Sequence, residues 1–203
     1  MLGRFSKGII LEQHKEPALS SDIVEFLNPS VAKSYFESEI SFDKNALSAD
    51  DIIKLAELAD ITDESDGKKL YKKLSAAKNA KELTMLVADA VGDEPYISSQ
   101  MRMMFKKPDD LCEGIELCVK ALGISKSSIA VYKNLTDISE KIPRHVNNIP
   151  VKRVFGGYPV QERIHDFFEG EKIFIVGTNA LVHLSRAFRE HRIQTTAFIT
   201  VGG

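Results

Sequence analysis

From Leu83 to Gly203 short apolar runs alternate with amphipathic helical patterns, four times over, with few residues between them. Leu83–Val87, Ile129–Tyr132, Val151–Phe155 and Lys172–Val176 have strand length, and all but Val151–Phe155, which carries Lys152 and Arg153, are close to continuously apolar. That is how strands read when both faces of their sheet are covered. Helical patterns fill the gaps over Asp109–Leu122, Thr136–Val146, Val160–Phe168 and Asn179–His191, and Thr196–Val201 closes the series as a β-rich run. The alternation predicts an α/β fold, a mostly parallel sheet with helices on both faces.

Local punctuation supports the segmentation. Along Asp109–Leu122 the residues Leu111, Ile115, Cys118, Val119 and Leu122 share one face, and Gly123 stands where a left-handed C-cap is expected. Upstream, Ser48 caps a helix reaching Asp60–Thr62, with Asp50 and Asp51 in the first turn and Ile52, Leu55, Ala56 and Ala59 as the apolar face. The stretch Asp63–Lys69 reads as a solvated charged loop, and Leu70–Ala77 as a second helix carrying Leu70, Tyr71 and Leu74 inward. Met101–Phe105 reads as core filling. Residues 1–45, broken by Pro17 and Pro29, read as an irregular arm or short strands, and residues 46–203 as the α/β domain.

Composition removes several classes of function. With 203 residues and 43% apolar content the chain can bury a substantial core, and a net charge of −2 offers no field for nucleic acid. No apolar run is long enough for a transmembrane segment or a secretory signal, so a cytoplasmic setting is expected, with peripheral contact to the cytoplasmic membrane face as a variant. Cys112 and Cys118, six apart on one helix, fit neither a local disulfide nor a metal or iron–sulfur spacing, and read as reduced thiols. His14, His145, His165, His183 and His191 are scattered, so no metal site is expected. Gly-x-Gly-x-x-Gly, the P-loop pattern and Gly-x-Ser-x-Gly are all absent.

Ligands of open α/β sheets sit beyond the carboxyl ends of the strands. Three strand-exit turns qualify: Asp89–Tyr96, Gly156–Pro159 and Gly177–Asn179. The first offers Asp89, Gly92, Glu94 and Tyr96, although its carboxylates also suit a merely solubilising loop. At the last, Gly177, Thr178 and Asn179 start a helix directly after a strand, presenting amides and a positive dipole end to a phosphate-sized anion. Capping by Thr178 or Asn179 alone is the other reading of the same residues.

A resemblance enters at Glu94-Pro95-Tyr96. Leu86–Ser98, the helix Ser48–Ile61, Ala121-Leu122-Gly123, Tyr158-Pro159, Arg186-Ala187 and Thr200-Val201-Gly202-Gly203 together resemble the RnfC component of Rnf-type electron-transport complexes. More distantly the chain is similar to the flavoprotein subunit of respiratory complex I. Within that superfamily the likeness is nearest to the RnfC-like electron-transfer proteins of anaerobic clostridia, including the one associated with proline reductase. The resemblance implies a Rossmann-like domain that in active relatives binds FMN and accepts a hydride from NADH. It also implies redox partner proteins or further subunits of an electron-transfer complex; relatives carry a further domain where this sequence stops, so the chain reads either as a natural short form or as a piece cut after Gly203.

The chain departs from that pattern at four places. Thr62-Asp63-Glu64-Ser65-Asp66-Gly67 replaces the family's glycine-rich loop with three carboxylates, which would repel a phosphate. Asp89 and Gly92 stand for the family's asparagine and first glutamate, leaving Glu94 as the matching acid. Tyr158-Pro159-Val160-Gln161-Glu162 is a shortened version of a longer loop, and Gly177-Thr178-Asn179-Ala180 an altered strand exit. The fold is expected to persist with FMN binding weak or absent, and no iron–sulfur cluster is expected in this chain. Three functions follow: an electron-transfer accessory or docking domain, an FMN-dependent NADH-oxidising module, and a non-redox domain binding a small molecule at the sheet's carboxyl edge.

Overall fold

The computed structural model describes residues 10–13, 21–27, 35–40, 43–80, 82–91, 99–133, 142–157 and 159–202. The first helix, α1 (Ala49–Leu58), begins as its sequence dictates: Ser48 and Asp51 form a reciprocal capping box, and Ile52, Leu55 and Ala56 turn inward. Helix α2 (Leu70–Ala80) follows the charged turn and buries Leu70 and Leu74. Strand β3 (Met85–Ala90) then leads toward α3 (Ser99–Lys106) and α4 (Pro108–Leu122), the latter closed by Gly123 at φ 66. Met101, Met103 and Met104 of α3 fill the core as expected, and Arg102 between them is buried too.

Beyond α4 come β4 (Lys126–Tyr132), β5 (His145–Val146), β6 (Ile149–Val154), a 3-10 helix (Gln161–Phe167), β7 (Ile173–Gly177) and α5 (Thr178–Glu190). Five strands form one sheet in the order β5-β6-β4-β3-β7, and all of its pairs are parallel except the antiparallel β5–β6 edge. The α/β architecture read from the alternation is therefore present. Strand periodicity divides its core in two. Leu86, Ala88, Ile129, Val131, Phe174 and Val176 face α1, α2, α4 and α5, whereas Val87, Ala130, Tyr132 and Ile173 face the 3-10 helix. Each Val, Leu, Ile or Phe side chain so buried contributes about 1.5–3 kcal/mol.

Three segments differ from expectation. Val146, read as the end of a helix from Thr136, pairs with Ile149 in a hairpin across Asn147-Asn148, with Asn147 at φ 49. Asparagine tolerates that left-handed geometry, and its helix-compatible neighbours masked the signal. Residues 134–141 lie outside the described residues. The Val160–Phe168 helix is of 3-10 type, because Gln161, Ile164 and Phe167 recur at the three-residue period that stacks one edge of such a helix on the sheet.

The third difference concerns the closing run. Strand β8 (Thr196–Gly202) does not extend the parallel sheet; it pairs antiparallel with β2 (Ser21–Leu27), which pairs with β1 (Ile10–Gln13). The chain leaves α5 through His191 at φ 51, and the Gln194 amide bonds the Ala59 carbonyl at 2.8 Å, which leads it away from β7. Phe198 and Thr196 are buried while Ala197 is exposed, the alternation of a strand covered on one side.

Helices α4 and α5 pack most closely at Gly114, where a Cβ would collide with the Leu181 carbonyl. Ser185 bonds Glu113 at 2.6 Å and Arg189 bridges Asp110 and Glu113 along the same seam. Backbone cannot rotate away as a side chain can, so Gly114→Ala should cost about 3 kcal/mol. Thermal unfolding should show a fall in Tm of roughly 6–12 °C, and an unchanged Tm would mean that the helices do not approach this closely.

Candidate functional site

Strands β3 and β7 lie side by side with Asp89 opposite Gly177, so both exits open at one level of the sheet. Strand β7 runs straight into α5, whose first turn holds no acidic residue and whose N-cap, Gly177, offers no side chain. The first amides of such a helix need acceptors from elsewhere. Glu64 supplies them: Oε1 accepts from the Asn179 amide at 2.7 Å and Oε2 from the Ala180 amide at 3.0 Å. Its neighbour Asp63 accepts from the Gly177 amide at 2.9 Å.

The turn that carries these carboxylates is closed on itself. The amides of Asp63 and Gly67 reach the carbonyls of Lys68 and Asp63, each at 2.8 Å, and Thr62 bridges Lys69. Asp63 also accepts from the Ser65 amide at 2.9 Å, an Asx-type turn. Lys73, one turn into α2, places its ammonium 2.5 Å from Asp63 and 3.2 Å from Asp66, and donates to the Ile175 carbonyl at 2.9 Å. Asp63 is fully buried, so this cation is what balances it. A Cβ at Gly177 would collide with the Glu64 carboxyl, so a larger residue there would push that side chain off the amides.

Burial, and next the Asp63 charge, push the Glu64 carboxyl up from 4.5 to about 8, against the pull of the Asn179 and Ala180 amides. Asp89 on β3 is also fully buried; it accepts from the Val91 amide at 2.9 Å and from the Gln161 side chain of the 3-10 helix. Two clefts flank the β7 edge. One, of about 620 Å³, runs along Lys69, Lys72, Lys73, Ala76 and Ala77 to Phe174. The other, of about 540 Å³, lies between Ser65, Asp66 and Lys73 on one side and Gln161 and His165 on the other. The linings of these two clefts end at Lys73 and Ile175, short of Gly177–Asn179.

The structure brings Asp89, Gly177, Thr178 and Asn179 to one edge, while Gly92, Glu94 and Tyr96 lie outside the described residues. Asp89 sits inside β3 and not in the turn after it. Neither Thr178 nor Asn179 caps α5: the Thr178 hydroxyl donates to the Gln100 carbonyl at 2.8 Å, and the cap comes from Glu64. The stretch Asp63–Lys69, read as solvated, holds the two side chains that seal the helix start. Lys73 was read only as part of a second helix and Gln161 only as part of a shortened loop, because the burial of Asp63 and the contact of Gln161 with Asp89, 72 positions away, leave no local signal. Three carboxylates were expected to repel a phosphate; two of them instead take the amides that would hold one. As they stand, the residues at this helix start do not fit a phosphate group.

Two measurements probe this arrangement. Because the raised value belongs to the folded chain, folding takes up a proton between about pH 4.5 and about pH 8, so Glu64 costs stability as pH rises across that window. Glu64→Gln cannot titrate. Its Tm minus that of the native protein should grow by about 3 °C or more from roughly pH 5 to pH 8, and a constant difference would contradict the buried carboxyl. Lys73→Met leaves Asp63 buried without its cation and should cost about 3–5 kcal/mol in urea unfolding; a loss below about 1 kcal/mol would show that Asp63 is solvated.

Among solved structures the chain is similar to the NAD+-reducing NiFe-hydrogenase in its H2-reduced state, with TM-score 0.56 and 15% identity over 71% of this chain and 31% of that one. The air-oxidised state of an NAD+-reducing NiFe-hydrogenase gives TM-score 0.52 and 14% identity over 70% of this chain and 31% of that one. At such identities the likeness establishes the fold, and the chain spans under a third of the length of those chains. No curated protein matches the sequence significantly. The model of the Nuo51 FMN-binding domain family matches residues 65–185, from the turn after Glu64 through the parallel sheet and most of α5. Covering more than half of the sequence, that match and the α/β sheet it spans make the chain a member of the Nuo51 FMN-binding domain family.

Proposed function

We propose that this chain is an electron-transfer accessory domain of RnfC type, which keeps the flavoprotein fold and docks with redox partner proteins without holding FMN at the β7–α5 exit. The observation that carries the reading is the Glu64 carboxyl on the Asn179 and Ala180 amides, with Asp63 on Gly177. A helix start serves a phosphate through free amides and its dipole, and here both are spent on the chain's own side chains. Family membership supports the electron-transfer setting, since the family is named for FMN binding. No helix among the described residues is long and apolar enough to cross a membrane, which suits a domain at the cytoplasmic face of such a complex.

A second reading, an FMN-dependent module oxidising NADH, draws on the same family name and on the NAD+-reducing hydrogenases that share the fold. Under it Asp89, Gly92, Glu94, Tyr96, Gly177, Thr178 and Asn179 would face the cofactor, and the Glu64 carboxyl would have to leave the helix start. The purified protein separates the two. It should lack the visible bands of bound flavin, fail to quench added FMN in the micromolar range, and show no NADH-dependent reduction of an artificial acceptor. Bound flavin together with NADH oxidation would overturn the accessory reading. Affinity capture followed by identification should recover proteins that carry flavin or iron–sulfur centres, and recovery of none would remove the docking role.

A further inference from the structure

We propose that a single side chain, Glu64, determines whether the β7–α5 exit can take a phosphate, and that cutting it back opens an anion site at the start of α5. The inference rests on the reading that this exit holds no FMN in the native chain, and it names the residue responsible.

The donors an anion needs are already aligned. Two amides, Asn179 and Ala180, converge on two oxygens of one carboxyl at 2.7 and 3.0 Å, as they would on two oxygens of a phosphate. The carboxyl lies against Gly177, close enough that a Cβ there would collide with it, so removing it leaves room lined by backbone. On the first turn of the same helix, Asn179 Oδ1 is buried without a hydrogen-bond partner, a polar atom that the native contacts leave unsatisfied.

Asp63 does not play the same part. It is held by Lys73, by the Ser65 amide and by the Gly177 amide, and its loss would dismantle the turn. With Glu64 gone, the Lys73 ammonium still balances Asp63, so the carboxylate that remains near the helix start is already paired. Glu64 also acts by occupying the amides rather than by charge alone. Its two oxygens each take one amide, at 2.7 and 3.0 Å, so the donors are filled whatever the charge nearby. Glutamine at this position retains an acceptor of the same reach and should still block.

The test compares the native protein with Glu64→Ala, Glu64→Ser and Glu64→Gln, using FMN, riboflavin and inorganic phosphate as probes. FMN fluorescence quenching should be at least tenfold tighter for Glu64→Ala than for the native chain or Glu64→Gln. Riboflavin, which lacks the phosphate, should bind none of them tightly, and inorganic phosphate should compete with FMN and raise the Tm of Glu64→Ala alone. Glu64→Ser, whose hydroxyl is too short to reach the amides, should behave like Glu64→Ala and serves in its place should the alanine variant not fold. Native protein that binds FMN as tightly as Glu64→Ala overturns the accessory reading and this inference together. Folded Glu64→Ala or Glu64→Ser that binds neither FMN nor phosphate, beside a native chain that binds no FMN, overturns only the assignment to Glu64.

Discussion

The contact on which much of this molecule depends is the pair of adjacent carboxylates, Asp63 and Glu64, set on the backbone amides of Gly177, Asn179 and Ala180. An α-helix that starts with glycine and without an acidic first turn has orphan donors, and hydrogen bonds from amides to an ionisable carboxyl contribute about 1.5–3 kcal/mol each. Those bonds tie the α1–α2 connection to the carboxyl end of the sheet. Lys73 completes the joint by bonding Asp63 and the Ile175 carbonyl at once. Because β7 is the edge strand, the same group of residues also blunts an edge that would otherwise invite pairing.

That joint shapes what the fold can do. In an open α/β sheet the strand exits are where ligands are held, and the β3 and β7 exits here are both engaged by the protein's own side chains, Asp89 with Gln161 and Gly177–Ala180 with Asp63 and Glu64. The family name implies FMN, but a fold supports many functions and the site decides among them. Two clefts open along β7 beside α2 and the 3-10 helix, away from the helix start.

Much of the fold was legible in the residues. The Ser48 cap of α1, the apolar face of α4 and its closure at Gly123 all appear where spacing placed them, and the structure adds that Asp51 returns the Ser48 bond as a capping box. The misreadings share a cause. Val146, read as the end of a helix, belongs to a hairpin, and Thr196–Gly202 is the β-run it reads as but pairs with a partner near the N-terminus; in each case the deciding neighbour is not written in the segment's own periodicity. Of the candidate site, Asp89, Gly177, Thr178 and Asn179 do share an edge, but the group that engages α5 came from a loop whose charges read as solvated.

By itself the sequence determined most of the strand and helix alternation, the Ser48 start of α1, the Gly123 close of α4 and the α/β class, because these depend on residues a few positions apart and on the periods of helix and strand. Only the tertiary structure decided which strand lies at the edge, that β8 leaves the parallel sheet, and that Glu64 meets Asn179 across 115 positions. The reason is physical. A carboxylate beside a turn is as well served by water as by a helix start, and only the strand order that brings β7 and α5 against the α1–α2 turn removes the water and leaves the amides as its partners.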